Sequence, residues 1–238
     1  MSEIGQNSDY ERAKEVGNII GKSLANLGFN VDFAPVADVL TNSENEVVKL
    51  RAFGNDAKMV SDMALLVKEG LEEEGVLATY KHFPGHGATA GDTHAGYAYS
   101  NCTLEELKSC ELIPFEAGIK AGISFVMVGH ISFPNILGDD TPASLSQYII
   151  EDLLRNQMQY DGIVITDAMN MGAIAQQNSS SEAAVKAIQA GVDVILMPED
   201  FKSAYQGVID AVNNNMISKA RIDQSLKRIL SIKVEMKN

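Results

Sequence analysis

The sequence predicts an α/β fold of the wound or barrel type, and three observations lead there. Short runs rich in Val, Ile, Phe and Met alternate with longer amphipathic segments, giving five strand-then-helix units in succession. The runs are continuously apolar rather than alternating, as parallel strands covered on both faces require. Polar residues gather at the carboxyl ends of those runs: Asp38, Lys81 with His82, His130 and Asp167. In parallel α/β folds that edge is where ligands bind and chemistry occurs, so the pattern points to an enzyme.

The elements follow in order. A helix is expected over 9–27, with Val16, Ile19, Ile20 and Leu24 forming its apolar stripe. "FNVDFAPVADV" (29–39) reads as a strand and 55–74 as a long helix. "GVLATYKHF" (75–83) is the second strand, and Thr103 followed by Glu106 makes a capping box for a helix running to Lys120. "ISFVMVGHI" (123–131), a helix near 145–158, "DGIVITDAM" (161–169), a helix near 181–190 and "GVDVILMP" (191–198) complete the alternation before two closing helices. No low-complexity segment or linker rich in Pro, Gly or Ser interrupts it, so residues 1–238 are expected to form a single domain.

Composition narrows the function. The chain has 238 residues, 45% of them hydrophobic, which is enough for one sizeable core. Nineteen basic against 32 acidic residues give a formal net charge of −13. Such a chain repels phosphate backbones and anionic lipid, which argues against nucleic-acid and membrane-surface roles. No apolar run approaches the length of a membrane span. The opening "MSEIGQNSDYERAKEVG" has no basic start followed by an apolar core, so a cytoplasmic location is expected of the sequence as it stands. A signal sequence further upstream would change that expectation. Two cysteines, Cys102 and Cys110, suggest no disulfide framework.

Three of the four histidines fall in "YKHFPGHGATAGDTHAGYA" (80–98), at His82, His86 and His94. The spacing of His82 and His86 mimics a helical zinc pair, but Pro84 and Gly85 between them prevent a helix from holding both rings on one face. No metal site is expected. Glycines at 85, 87, 91 and 96 permit sharp turns and close backbone approach. Asp92 and His94, two residues apart, read as a pair in which the carboxylate would fix the tautomer of the ring and raise the basicity of its other nitrogen; a mobile surface loop with incidental histidines is the other reading. A histidine so supported can hand a proton to a leaving group near neutral pH.

"KHFPGHG" followed by "GDTH" resembles the signature of glycoside hydrolase family 3, in its β-N-acetylglucosaminidase branch. "NVDFAPVADV", "RAFGND", "FVMVGHI", "DGIVITDAMNMGAI", "GVDVILMP" and the closing "ARIDQSLKRILSIK" resemble the family in the right order, so the likeness runs along nearly the whole chain. The resemblance implies a retaining double displacement. Asp167, ending an apolar strand, would be the nucleophile, and the Asp92–His94 dyad the general acid/base. Capping of the following helix is the other reading of Asp167. Lys81 and His82 match residues that hydrogen-bond sugar hydroxyls, with a structural ion pair as their other reading. Arg51 in "RAFG" matches a sugar-contacting arginine, although Ala52 replaces the commoner Ser, and a solvated charge is its other reading. Ala168 stands where some relatives have a second acid. His86 is expected to stabilise the loop; His130 is divided between rim contact and packing. Asp32 and Asp38 read as hydrogen-bonded strand-end acids outside the site.

The resemblance also implies a TIM-type (β/α)8 barrel of about 250 residues, of which this chain supplies about five of eight βα units. The family's first three strands, and an acidic Asp-Gln-Glu-Gly-Gly-like segment that grips the sugar, have no counterpart here. Open sheet edges invite self-association. The expected substrate is a cell-wall or chitin-type oligosaccharide ending in β-linked N-acetylglucosamine, with no metal or organic cofactor. The alternatives are another family 3 activity, β-glucosidase or phosphorylase, and a sugar-binding fragment without activity.

Overall fold

The structure, a computed structural model, describes residues 1–89 and 98–236. Its strands are β1 (Val31–Asp32), β2 (Leu77–Phe83), β3 (Ala98–Tyr99), β4 (Phe125–Val128), β5 (Ile131–Ser132) and β6 (Ile163–Thr166). By backbone contacts the chain divides into two compact units, 1–90 with 100–129, and 91–99 with 130–238.

In the first unit β1, β2 and β4 run parallel, with Val31 opposite Leu77 and Thr79 opposite Phe125. The strand expected over 29–39 keeps only two ladder residues and a bridge from Val36 to Lys81. Pro35 between them has no N–H to donate. Tyr80 and Phe83 of β2 meet Phe115 edge to face, at 6.4 and 5.3 Å between ring centroids, and all three are fully buried.

Helix α3 (Ala57–Glu73) packs on β2, and α2 (Tyr10–Asn26) and α1 (Ser2–Gln6) pack on α3; α2 and α3 are capped by Asp9 and Asp56. The stripe expected on α2 is corrected. Its buried residues are Ala13, Gly17 and Gly21, while Ile19 is exposed. A methyl group on Gly17 would stand 2.5 Å from the Val67 carbonyl of α3, so small residues face the partner and let the two backbones approach.

The helix expected over 103–120 is two, α4 (Leu104–Ser109) and α5 (Leu112–Lys120). The Thr103–Glu106 capping box forms as the sequence requires. Pro114 explains the break, because its ring would collide with the Cys110 carbonyl in a continuous helix. Cys102 and Cys110 are free thiols, and burial raises both above the usual thiol range.

In the second unit β3 pairs in parallel with β5, Ala98 opposite Ile131. The single strand expected over 123–131 therefore ends at Val128, and Ile131 belongs to a separate ladder. A short helix α6 (Pro134–Leu137) follows. The segment Tyr148–Gln157 is π-helical, with the Met158 amide reaching the Leu153 carbonyl at 2.9 Å, and it buries Ile149, Ile150, Leu153 and Leu154. The strand expected over 191–198 is reduced to a parallel bridge between Ile165 and Val194.

Helices α7 (Gly172–Ala175), α8 (Ser180–Ala190), α9 (Phe201–Asn213) and α10 (Lys219–Glu235) complete this unit. Asp193, its side chain fully buried, ties it together. Its carboxylate takes Arg155 at 2.6 Å, the Ser225 hydroxyl at 2.6 Å, Arg228 at 3.3 Å and the Val164 amide at 3.0 Å. No residue of α10 is buried, and Leu226, Leu230 and Val234 form an exposed i, i+4, i+8 stripe on it. No helix among the described residues is long and apolar enough to cross a membrane.

Candidate active site

The carboxyl end of β2 carries a buried polar cluster. Asp38, fully buried, lies just past the β1 segment. Its Oδ2 is 2.7 Å from Nδ1 of His82, and its Oδ1 accepts from the backbone amides of His82 at 3.0 Å and His86 at 2.7 Å. One carboxylate thus receives three donors, which fixes both the His82 ring and the start of the glycine-rich turn. A carboxylate only accepts, so Nδ1 of His82 carries the proton and Nε2 is the nitrogen left for other chemistry. Burial by itself would raise the Asp38 carboxyl. The His82 ring, its hydrogen bond and the His86 contacts outweigh it and hold the group below the ordinary carboxylate value.

His86 packs edge to face on His82, with ring centroids 5.6 Å apart. Its Nδ1 meets the Thr89 hydroxyl at 2.8 Å, and its carbonyl accepts from Asn45 Nδ2 at 2.7 Å. Burial pushes the His86 imidazole below its ordinary value, partly opposed by Asp38, while the His82 and Arg51 charges push in the same direction as burial. These contacts agree with a loop-stabilising histidine. The loop sits tightly on its support: an added methyl at Gly87 would strike the Val39 carbonyl, and one at Gly85 would come 2.5 Å from the Glu111 side chain. Glu111 is itself buried, accepts from the Thr41 hydroxyl at 3.3 Å, and is raised by that burial.

The other expected sugar contacts of this unit are Lys81 and Arg51. Lys81 is half-buried in β2, with its backbone carbonyl accepting from the Ala37 amide at 2.7 Å, and its charge opposes the burial-driven rise of Asp32. Arg51 is exposed, and its Nε donates to the Val47 carbonyl at 3.0 Å. Asp92 and His94 lie outside the described residues. Among the described residues no group of three or more His, Cys, Asp or Glu side chains could hold a metal ion.

Asp167 belongs to the second unit, where it is the first residue past β6 and is half-buried. Its Oδ1 accepts from the Ala168 amide at 2.8 Å. It does not cap the following helix, because α7 begins after Met171 and has no side-chain cap. The 167–171 turn is fastened from several sides: the Met169 amide donates to the Leu196 carbonyl at 2.9 Å, and the Met171 amide to the Ala168 carbonyl at 3.1 Å. His130 joins it, with Nε2 at 3.0 Å from the Ala168 carbonyl.

Sequence reasoning set Asp38 outside the site and left His130 divided between rim contact and packing. Asp38 had a visible signal, an acid at the carboxyl end of an apolar segment, but nothing in the sequence names a ring 44 positions away as its partner.

The model of the glycosyl hydrolase family 3 N-terminal domain matches residues 1–232. In sequence the chain is similar to beta-hexosaminidase A of Pseudoalteromonas piscicida, with 32% identity covering 94% of this chain and 41% of that protein. It is also similar to the beta-hexosaminidase LpqI of Mycobacterium tuberculosis, with 31% identity covering 97% and 61%. In structure it is similar to a family 3 beta-N-acetylglucosaminidase from Paenibacillus sp., with a TM-score of 0.96 and 38% identity over 99% of this chain and 45% of that one. The chain thus spans about half the length of the relatives it matches. With its parallel strands, intervening helices and strand-end polar residues, the chain belongs to glycosyl hydrolase family 3 and has the α/β, (β/α)-barrel-type fold of that family's N-terminal domain.

Proposed function

We propose that this chain is the catalytic-domain portion of a retaining β-N-acetylglucosaminidase that removes terminal N-acetylglucosamine from cell-wall or chitin-type oligosaccharides. The observation that supports it most is the setting of Asp167: half-buried, one residue beyond a parallel strand, held in a fastened turn and not used as a helix cap. A carboxylate held half-buried at that edge of a parallel strand is suited to attack an anomeric carbon. Relatives along almost the whole chain carry hexosaminidase names.

In this reading Asp167 attacks the anomeric carbon and the glycosidic oxygen leaves with a proton from His94, oriented by Asp92. The same imidazole then takes a proton from the water that releases the sugar from Asp167. His82, with its tautomer set by Asp38, presents Nε2 to a sugar hydroxyl, and Lys81 and Arg51 add charged donors. The chemistry runs through carboxylate and imidazole alone, so a chelator leaves the rate unchanged.

The test is hydrolysis of an aryl β-N-acetylglucosaminide by the wild-type chain and by Asp167→Asn. Retaining glycosidases depend on the nucleophile, so the variant should lose at least about 10³-fold in kcat. Wild-type turnover in Asp167→Asn overturns the assignment. If the wild-type chain is inert alone but gains turnover when the family's preceding segment is supplied, it is an incomplete catalyst rather than a sugar-binding module.

A further inference from the structure

We propose that His130 is a positioning residue for Asp167, acting through the Ala168 carbonyl. The inference rests on the reading of Asp167 as nucleophile and adds a residue which that reading leaves out.

The ring of His130 is almost completely buried, at 1% exposure, and both of its nitrogens are engaged. Nδ1 lies 2.7 Å from the Ser144 hydroxyl, itself fully buried, and Nε2 lies 3.0 Å from the Ala168 carbonyl. A carbonyl has no proton to give, so Nε2 is the donor. In the neutral ring Nδ1 then accepts from Ser144, which locks the tautomer and the ring plane together. Ser144 thereby acts on His130 as an orienting hydroxyl, and His130 acts on the chain beside the nucleophile.

The turn has need of such an anchor. Residues 166–171 read Thr-Asp-Ala-Met-Asn-Met, with neither Gly nor Pro to preform a bend. The helix that follows lacks a side-chain cap. Its geometry therefore draws on hydrogen bonds to distant segments, His130 Nε2 to the Ala168 carbonyl and the Met169 amide to the Leu196 carbonyl, beside the local ones. The Ala168 carbonyl takes two donors, His130 Nε2 and the Met171 amide at 3.1 Å, while the Ala168 amide holds Asp167 Oδ1 at 2.8 Å. Orienting this one residue orients the carboxylate oxygen bonded to it. A nucleophile displaced by about 1 Å can lose roughly 10²-fold in rate, so a buried donor at this carbonyl acts on turnover without touching sugar.

The experiment compares His130→Ala, His130→Gln and Ser144→Ala with wild type on the aryl glycoside, with Asp167→Gly plus azide as the control for the nucleophile. His130→Ala is expected to lower kcat by roughly 10–100-fold with KM changed less than about threefold. His130→Gln, whose amide N–H can reach the place of Nε2, should restore about tenfold of that loss. Ser144→Ala should fall between, because it frees the ring without removing it. Equal losses in the Ala and Gln variants, or a rise in KM at constant kcat, mean that the ring only fills space and overturn the proposal.

Hydrogen exchange gives a reading that needs no turnover. The Met169 and Met171 amides should exchange at least about tenfold faster in Ser144→Ala and in His130→Ala, and in the former alone if the latter does not fold. Unchanged exchange sinks the proposal. Asp167→Gly that is inert and rescued by azide, beside a His130→Ala of wild-type kcat, refutes the positioning role and leaves the nucleophile standing. Asp167→Gly with wild-type turnover removes both.

Discussion

The Asp38 carboxylate lies 2.7 Å from Nδ1 of His82, both groups buried, and its second oxygen holds the amides of His82 and His86. Asp38→Ala removes all three acceptances at once and leaves the donors unpaired in the interior. A loss of about 3–5 kcal/mol is expected, read as a lower urea midpoint at neutral pH. Asp38→Asn keeps one oxygen for the amides and turns an N–H toward the ring, so its loss should be smaller, about 1–3 kcal/mol. The His82 ring must then move its proton to Nε2, which ¹⁵N imidazole shifts would report. An unchanged tautomer in Asp38→Asn contradicts the geometry.

Acid titration should separate Asp38 from Glu111. The folded-state Asp38 carboxyl lies below its ordinary value of 3.8, so the native state binds fewer protons there than the unfolded chain. Its contribution is fully present above the ordinary value and fades as pH falls through the folded one. Glu111 is raised above 4.5 by burial, so its effect has the opposite sign: stability is present in acid and lost as pH rises through the folded value. Glu111→Gln should therefore be more stable than wild type at neutral pH and lose that advantage in acid. Urea midpoints across pH measure both slopes, and a Glu111→Gln advantage that grows on acidification would contradict the second.

Gly87→Ala tests how closely the histidine-rich turn sits on its support. The added methyl meets the Val39 carbonyl, backbone that cannot swing away, and the Gly87 carbonyl accepts from the Asn42 amide at 3.1 Å. A destabilisation of about 1–3 kcal/mol is expected. Gly28→Ala is a useful contrast: its methyl meets nothing, but φ is +83°, so any cost is backbone strain rather than collision.

Two leucines of the second unit should behave oppositely. Leu153 in the π-helical segment is fully buried, so Leu153→Ala should cost about 2–5 kcal/mol. Leu230 on α10 is 56% exposed, and Leu230→Ser should stay within about 0.5 kcal/mol in thermal or urea unfolding of the chain. A large loss at Leu230 would mean that the α10 stripe is covered in solution, as self-association would bring about.

Much of the fold is legible along the chain because its signals are local. Continuous apolar runs mark β2, β4 and β6, the Thr103–Glu106 pair starts α4, and Asp9 and Asp56 cap their helices as short polar side chains before amphipathic stretches do. Where the reading of an element failed, a single residue or a partner helix decided the matter. Pro114 splits one helix because its ring would collide with the Cys110 carbonyl. The α2 stripe went wrong because periodicity finds large apolar residues, whereas the close crossing with α3 selects Ala13, Gly17 and Gly21.

The strand-end placement of Lys81, His82, His130 and Asp167 was written in the sequence, since a run of Val and Ile followed by a polar residue shows where a parallel strand stops. Which groups those residues meet was not. Asp38 and His82 are 44 positions apart, and His130 and Ala168 are 38 apart, so no spacing rule joins them. Hydrogen-bond partnership depends on which segments pack side by side, and that is settled by the burial of whole faces rather than by neighbours in the chain.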